Sequence, residues 1–131
     1  SLLFIDVGRR NWAHCTGTGK CLLAFLSDSE LDAVLDAWEL PTMTGTTITD
    51  EAKLRIELKE VRRNGYARNR GESDAAVLSV SAPIRDISGK VRAAISVAGP
   101  IERMEGLGER INLAVMEMAA VASRRLGWRP R

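Results

Sequence analysis

Val77-Leu78-Ser79-Val80-Ser81-Ala82-Pro83-Ile84-Arg85-Asp86 and Val91-Arg92-Ala93-Ala94-Ile95-Ser96-Val97-Ala98 are two strand-type runs joined by Ile87-Ser88-Gly89-Lys90. Runs rich in Val and Ile around a short Ser-Gly turn predict a hairpin. If the turn centres on Ser88-Gly89, facing residues are placed symmetrically about it, so Ser81 lies opposite Ser96 and Ser79 opposite Ala98. Side chains alternate across a strand, which puts these four on one face and Leu78, Val80, Ala82, Ile95 and Val97 on the other. One face is small and hydroxylated, the other oily. Pro83 has no N–H to give to a ladder and places the first strand near an edge or a bulge. Strands consecutive in sequence and joined by a tight turn favour an antiparallel sheet, so the expected fold class is α+β.

Working upstream, Tyr66 to Arg70 reads as a short strand and Gly71-Glu72-Ser73-Asp74 as a turn. From Asp50 to Asn64, Leu54, Leu58 and Val61 fall at i, i+4 and i+7, with Lys53/Glu57 and Glu51/Arg55 four apart outside, as in an amphipathic surface helix. Thr49 and Asp50 can cap it, and Asn64-Gly65 is its stop signal. Thr42 to Thr49 is a loop after Pro41. Ser27-Asp28-Ser29-Glu30 has capping-box spacing before a helix with Leu31, Val34, Leu35 and Trp38 inward. Cys21 to Leu26 reads as a short buried helix behind the loop His14-Cys15-Thr16-Gly17-Thr18-Gly19-Lys20. Leu2 to Val7, stopped by Gly8, reads as a strand that needs a neighbour. Downstream of Gly99-Pro100, Leu107 to Leu126 is expected to be one long helix with Leu107, Ile111, Val115, Met118 and Ala122 inward.

With 131 residues, 45% hydrophobic and 27% charged, the chain is expected to form a single domain over residues 1–131 with one core. Two cysteines are too few for a disulfide framework, and no signal-type or membrane-spanning run is visible, so the expected compartment is the cytoplasm and no membrane partner is expected. The net charge of +2 comes from 19 basic and 17 acidic residues mixed along the chain. Counterion-release binding to nucleic acid wants clustered Lys and Arg, so any DNA reading is expected outside this stretch.

Gly17-Thr18-Gly19-Lys20 opening a helix invites a phosphate-loop reading, which fails on spacing. The positions that need Gly and Ser or Thr hold His14 and Cys21. What survives is a set of free N–H groups at a helix start, suited to one carboxylate. The alternative is that the glycines only let loop and sheet pack, and from the residues alone both stand. Ser79, Ser81 and Ser96 divide in the same way, between ordinary half-exposed strand positions and the polar wall of a pocket. A cysteine-dependent enzyme using Cys21 or Cys15 with His14 is a further alternative, as is a purely structural dimerisation module. This is the only histidine, so no zinc set can be completed, and no metal or cofactor is expected.

Three stretches together resemble the C-terminal effector-binding domain of the IclR family of bacterial transcription regulators. They are Gly8 with His14 to Ala24, Thr47-Ile48-Thr49-Asp50 through Val61-Arg62-Arg63-Asn64-Gly65-Tyr66, and Ser81-Ala82-Pro83-Ile84 through Ala94-Ile95-Ser96-Val97-Ala98-Gly99-Pro100. The likeness runs from Leu2 to Gly127. It implies a GAF-like α+β fold, an antiparallel sheet flanked by helices, with a pocket for a small organic or aromatic carboxylate effector. It also implies homodimers or homotetramers, and DNA binding only through an N-terminal winged helix-turn-helix domain absent from this stretch, whose effector domain starts incomplete. The ligand-binding residues so implied are Thr16, Gly17, Thr18, Leu22, Asn69, Ser79, Ser96 and Ala98. An acidic run frequent after the Gly-Tyr pair is replaced by Asn69-Arg70-Gly71-Glu72, and Ala98 stands where a second Ser is frequent. Arg68 and Arg70 are expected to favour an anion if they reach the pocket.

Overall fold

The computed structural model describes residues 10–130. The strand expected over Leu2–Val7 lies outside these residues. A 3-10 turn at Ala13–Cys15 leads into helices α1 (Gly17–Ala24), α2 (Asp28–Asp36) and α3 (Glu51–Asn64). Strands β1 (Ala67–Arg70), β2 (Val77–Arg85) and β3 (Val91–Pro100) follow, then helices α4 (Ile101–Leu107) and α5 (Glu109–Arg125). Among the described residues the sheet has three strands in the order β1-β2-β3, each pair antiparallel.

The hairpin has the predicted register. Ser79 faces Ala98 and Ser81 faces Ser96, and the pairing stays symmetric until a shift between Ile84 and Arg85. Gly89 takes a left-handed φ of 84° in the turn, and its N–H donates to Asp86 O at 2.9 Å. Pro83 sits in the central strand, but beyond the end of β1, where only β3 pairs with it. Its missing N–H therefore costs no ladder bond on the β1 side.

Each face of the sheet carries its own core. Leu78, Val80 and Ala82 pack with Met104 of α4 and with Val115 and Ala119 of α5. On the other side Cys21, Leu23 and Ala24 of α1 pack with Leu35, Leu54, Leu58, Val61 and Ala67. Full burial of a Leu or Val contributes about 1.5–3 kcal/mol, so the Leu54, Leu58 and Val61 stripe is what fixes α3 to this layer. Helix ends follow their sequence signals. Ser27 and Glu30 form a reciprocal capping box, Asp50 accepts from the Ala52 and Lys53 N–H groups, and Gly65 ends α3 at φ 80°.

Four expectations are corrected. The helix read from Cys21 begins at Gly17, because Thr16 caps it and turns the glycine loop into its first turn. Trp38 lies past the end of α2, is 38% exposed, and meets Trp12 edge-on at 6.4 Å. Glu57 turns to Lys20 rather than serving only as a surface partner of Lys53. The expected terminal helix is present over Glu109–Arg125, but behind an extra helix, α4, from which Gly108, whose φ of 58° and ψ of −145° suit glycine, separates it, and its inward stripe differs. Its buried positions are Asn112, Val115, Ala119 and Ser123, while Leu107 and Met118 are exposed. The stripe is displaced because two polar residues find partners inside: Ser123 Oγ accepts the Arg85 N–H at 2.9 Å and Asn112 Oδ1 accepts from Arg68 at 3.4 Å.

Candidate functional site

The start of α1 is built from the loop residues themselves. Thr16 Oγ1 accepts the Gly19 N–H at 3.2 Å, its hydroxyl donates to Trp12 O at 2.9 Å, and its carbonyl accepts the Lys20 N–H at 2.9 Å. The N–H groups of Gly17 and Thr18 are the two of this first turn that neither bond uses. Both glycines are also needed for packing. A Cβ on Gly17 would stand 2.4 Å from Ser81 Oγ and 2.9 Å from Ser79 Oγ, and one on Gly19 would stand 2.3 Å from Ala13 Cα. The helix start is therefore pressed onto the serine face of the hairpin.

Two rows cross that face, Asn69-Ser79-Ala98 and Ala67-Ser81-Ser96. Ser81 donates to Ser96 Oγ at 2.9 Å. The candidate residues thus share one side of the sheet but divide by depth. Gly17, in the first turn of α1, and Asn69 and Ser79 beneath it are buried, Thr16 and Thr18 are half-buried, and Leu22, Ser96 and Ala98 are exposed. They make a polar step beside α1, open to solvent among the described residues. Leu22, read as part of an apolar wall, is 41% exposed. Clefts of about 370, 260 and 460 Å³ lie elsewhere: between α2 and α3, between the ends of α3 and α5, and beside Trp12 and Trp38.

Arg68 and Arg70 point to the opposite face. Arg68 reaches Asn112 of α5, and Arg70 pairs with Glu105 of α4 at 3.0 Å. Strand alternation dictates this, since Ala67 and Asn69 occupy the α1 side. The two arginines add no positive charge to the serine face.

A polar cluster behind α1 was not foreseen. Lys20 is fully buried, and its ammonium donates to Glu72 at 2.6 Å, to Glu57 at 3.3 Å and to Arg68 O at 3.3 Å. Asn69 accepts the Glu72 N–H at 3.0 Å and donates to Cys15 O at 2.6 Å. Burial pushes the Glu72 carboxyl above its ordinary range despite the attraction of Lys20. The available signal was periodicity: Lys20 follows Gly17 by three and precedes Ala24 by four, which puts it on the inward stripe of α1.

The cysteines are quiet. Cys21 is buried, donates to Ser81 O at 3.3 Å, and has its pKa pushed up to about 12 by burial. Burial likewise raises Cys15, and His14 Nε2 lies 2.9 Å from Pro41 O. A nucleophile needs a lowered pKa or an adjacent base, and neither thiol has this environment. Among the described residues no group of His, Cys, Asp and Glu has metal-binding geometry, and no helix is long and apolar enough to cross a membrane.

Residues 3–124 match the family described as bacterial transcriptional regulator IclR C-terminal. The HTH-type transcriptional regulator BhcR of Paracoccus denitrificans (strain Pd 1222) is 38% identical over 101 residues, covering 77% of this chain and 36% of that protein. The crystal structure of the Thermotoga maritima IclR superposes with a TM-score of 0.90 at 31% identity, over 96% of this chain and 51% of that one. The inducer-binding domain of the PobR transcription factor from Acinetobacter, a double mutant, superposes with a TM-score of 0.83 at 26% identity, over 90% of this chain and 69% of that one. The chain spans about a third to a half of BhcR and of the Thermotoga protein. With the α+β architecture and nearly the whole of its length matched, the chain belongs to the IclR family of bacterial transcriptional regulators, as a C-terminal regulatory domain.

Proposed function

We propose that this domain senses a small organic or aromatic acid on the serine face of the hairpin beside α1. The ligand-contacting residues are Thr16, Gly17, Thr18, Leu22, Asn69, Ser79, Ser96 and Ala98. The observation that carries the reading is the meeting of the α1 N-terminus with the Ser79, Ser81 and Ser96 hydroxyls on one side of the sheet. A helix N-terminus offers N–H donors and positive potential to a carboxylate, and hydroxyls can orient the rest of a small polar ligand. The PobR domain, similar to this chain in fold, is a complex with 3-hydroxybenzoic acid, which supports the same chemical class here. Binding biases an equilibrium between assembly states, homodimer or homotetramer, and so sets DNA occupancy by a helix-turn-helix part of the same cytoplasmic regulator outside this stretch. A tenfold response needs a differential affinity of about 1.4 kcal/mol.

The test is a thermal-shift screen of organic and aromatic acids, 3-hydroxybenzoate included. A ligand at 100 times its Kd adds about 2.7 kcal/mol, a shift of several degrees for a domain of this size. Ser96→Ala should lower the shift, which is measured against the melting temperature of the free variant because Ser96 also accepts the buried Ser81 hydroxyl. No shift across the library removes the sensor reading and favours a structural dimerisation module.

A further inference from the structure

Lys20 draws three separate segments to one buried point: Glu72 from the turn after β1, Glu57 from α3, and the Arg68 carbonyl from β1. The other end of the cluster reaches the candidate site through Asn69. This side chain holds the Glu72 N–H and the Cys15 carbonyl, one residue before the Thr16 cap. Thr47 adds a hydroxyl bond to the Glu72 carbonyl at 2.6 Å, and Thr44 and Thr46 bond the Gly71 carbonyl at 2.5 and 2.9 Å. The Asn69 amide thereby links the main chain before α1 to the turn that carries Glu72, the partner of Lys20.

Stability does not explain the pair. Taking two charges out of water costs more than their attraction returns unless the remaining lone pairs are satisfied. Among the described residues no protein group hydrogen-bonds the buried Glu72 Oε1. The upward displacement of its carboxyl points the same way, desolvation outweighing the neighbouring ammonium. A well-packed apolar pair would hold the two segments together at no such cost. What it would not supply is direction: the charges dictate where the turn carrying Asn69 and Glu72 sits relative to the α1 start.

We propose that Lys20 and Glu72 are positioning residues that, through Asn69, set the geometry of the Cys15–Gly19 segment at the ligand-binding face and tie it to α3. The functional meaning of this rests on the effector reading; its test does not. The experiment is amide hydrogen exchange by NMR on the whole chain, read at Gly19 and Lys20, whose N–H groups bond to Thr16, and at Glu72, whose N–H bonds to Asn69. Lys20→Met alone would strand the buried Glu72 charge, so the informative variant is Lys20→Met with Glu72→Leu, which keeps the volume apolar.

The expected result is unchanged far-UV dichroism with a drop of tenfold or more in protection at these three amides. An Asp32→Ala variant, which removes an exposed pair with Arg55, should leave them unchanged. Protection within twofold of wild type in the double variant overturns the proposal. Should that variant not fold, Glu72→Gln gives a second measurement. In the wild type, protection at Gly19 and Lys20 should fall as acid neutralises Glu72, whose charged and titratable neighbours are Lys20 of α1, Glu57 of α3 and Cys15 of the 3-10 turn. In Glu72→Gln that pH response should be flat, and a response equal to wild type again overturns the proposal. A loosened segment together with no ligand in the acid library would leave the positioning role standing and remove the effector reading alone.

Discussion

Gly17 and Ser81 are in direct contact across the helix–sheet boundary, so close that a Cβ at Gly17 would stand 2.4 Å from the serine hydroxyl oxygen and 3.4 Å from its Cβ. The sharper of the two collisions such a Cβ would make is therefore with the Ser81 Oγ, and removing that atom gives partial relief. Gly17→Ala should destabilise the domain by about 1–3 kcal/mol, the usual cost of overpacking a close-packed boundary. Adding Ser81→Ala should recover part of that loss. Ser79 Oγ, at 2.9 Å, sets the remainder. Urea unfolding of the two single variants and the double variant gives the coupling directly. A Gly17→Ala chain as stable as wild type would mean that α1 does not rest on the hairpin as described.

The burial of both cysteines makes a chemical prediction. Cys15 and Cys21 are 1% and 0% exposed, and burial holds the Cys21 thiol up to about 12. Native protein at pH 8 should resist iodoacetamide, and both thiols should label once urea unfolds the chain. The sign of the linkage follows from the raised value. Cys21 supports the fold fully below its unfolded pKa, about 8.5, and that support is lost as pH rises toward about 12. Rapid, pH-dependent labelling of one native cysteine, with an accompanying hydrolase activity, would restore the enzyme alternative.

The hairpin turn carries a pH dependence of the opposite sign. Asp86 accepts from Arg92 Nε at 2.6 Å, from the Ser88 hydroxyl at 2.5 Å and from the Ser88 N–H at 2.9 Å, which hold its carboxyl well below the usual carboxylate range. A depressed acid stabilises above its unfolded pKa, about 3.9, and the contribution disappears as pH falls through the folded value. Asp86→Asn should therefore weaken the turn at neutral pH. Its difference from wild type, followed through the Ser88 and Gly89 amide signals, should shrink as pH drops below about 4. A difference that stays constant down to strongly acidic pH would separate the turn from this ionisation.

What the sequence disclosed depends on how local the determinant is. The hairpin register follows from symmetry about Ser88-Gly89, and α3 from the spacing of Leu54, Leu58 and Val61, because neighbours in the chain decide both. The Lys20 and Glu72 pair joins residues 52 apart, and no local pattern announces a lysine's distant partner. The inward stripe of α5 went astray for a related reason. Periodicity ranks Met118 above Ser123, yet Ser123 is admitted because it satisfies the Arg85 N–H and Met118 is left outside. The helix at Ile101–Leu107 was hidden by Gly99-Pro100, which reads as a terminator although Pro100 is the residue from which that helix starts. The candidate site was legible as a side of the sheet. Its division into buried Gly17, Asn69 and Ser79 and exposed Leu22, Ser96 and Ala98 was not, because it depends on how far α1 extends over β3.

Among the described residues β3 bonds to β2 alone, and its ten residues leave one flank of N–H and C=O groups without a strand beside them. Such a flank is a template on which any extended peptide can lengthen the sheet. β1, four residues long, is the other border of the described sheet, so strand addition finds its longer template along β3, next to Ser96 and Ala98. Charged side chains oppose such pairing, so a charged substitution at exposed Ala93 tests whether β3 takes an added strand.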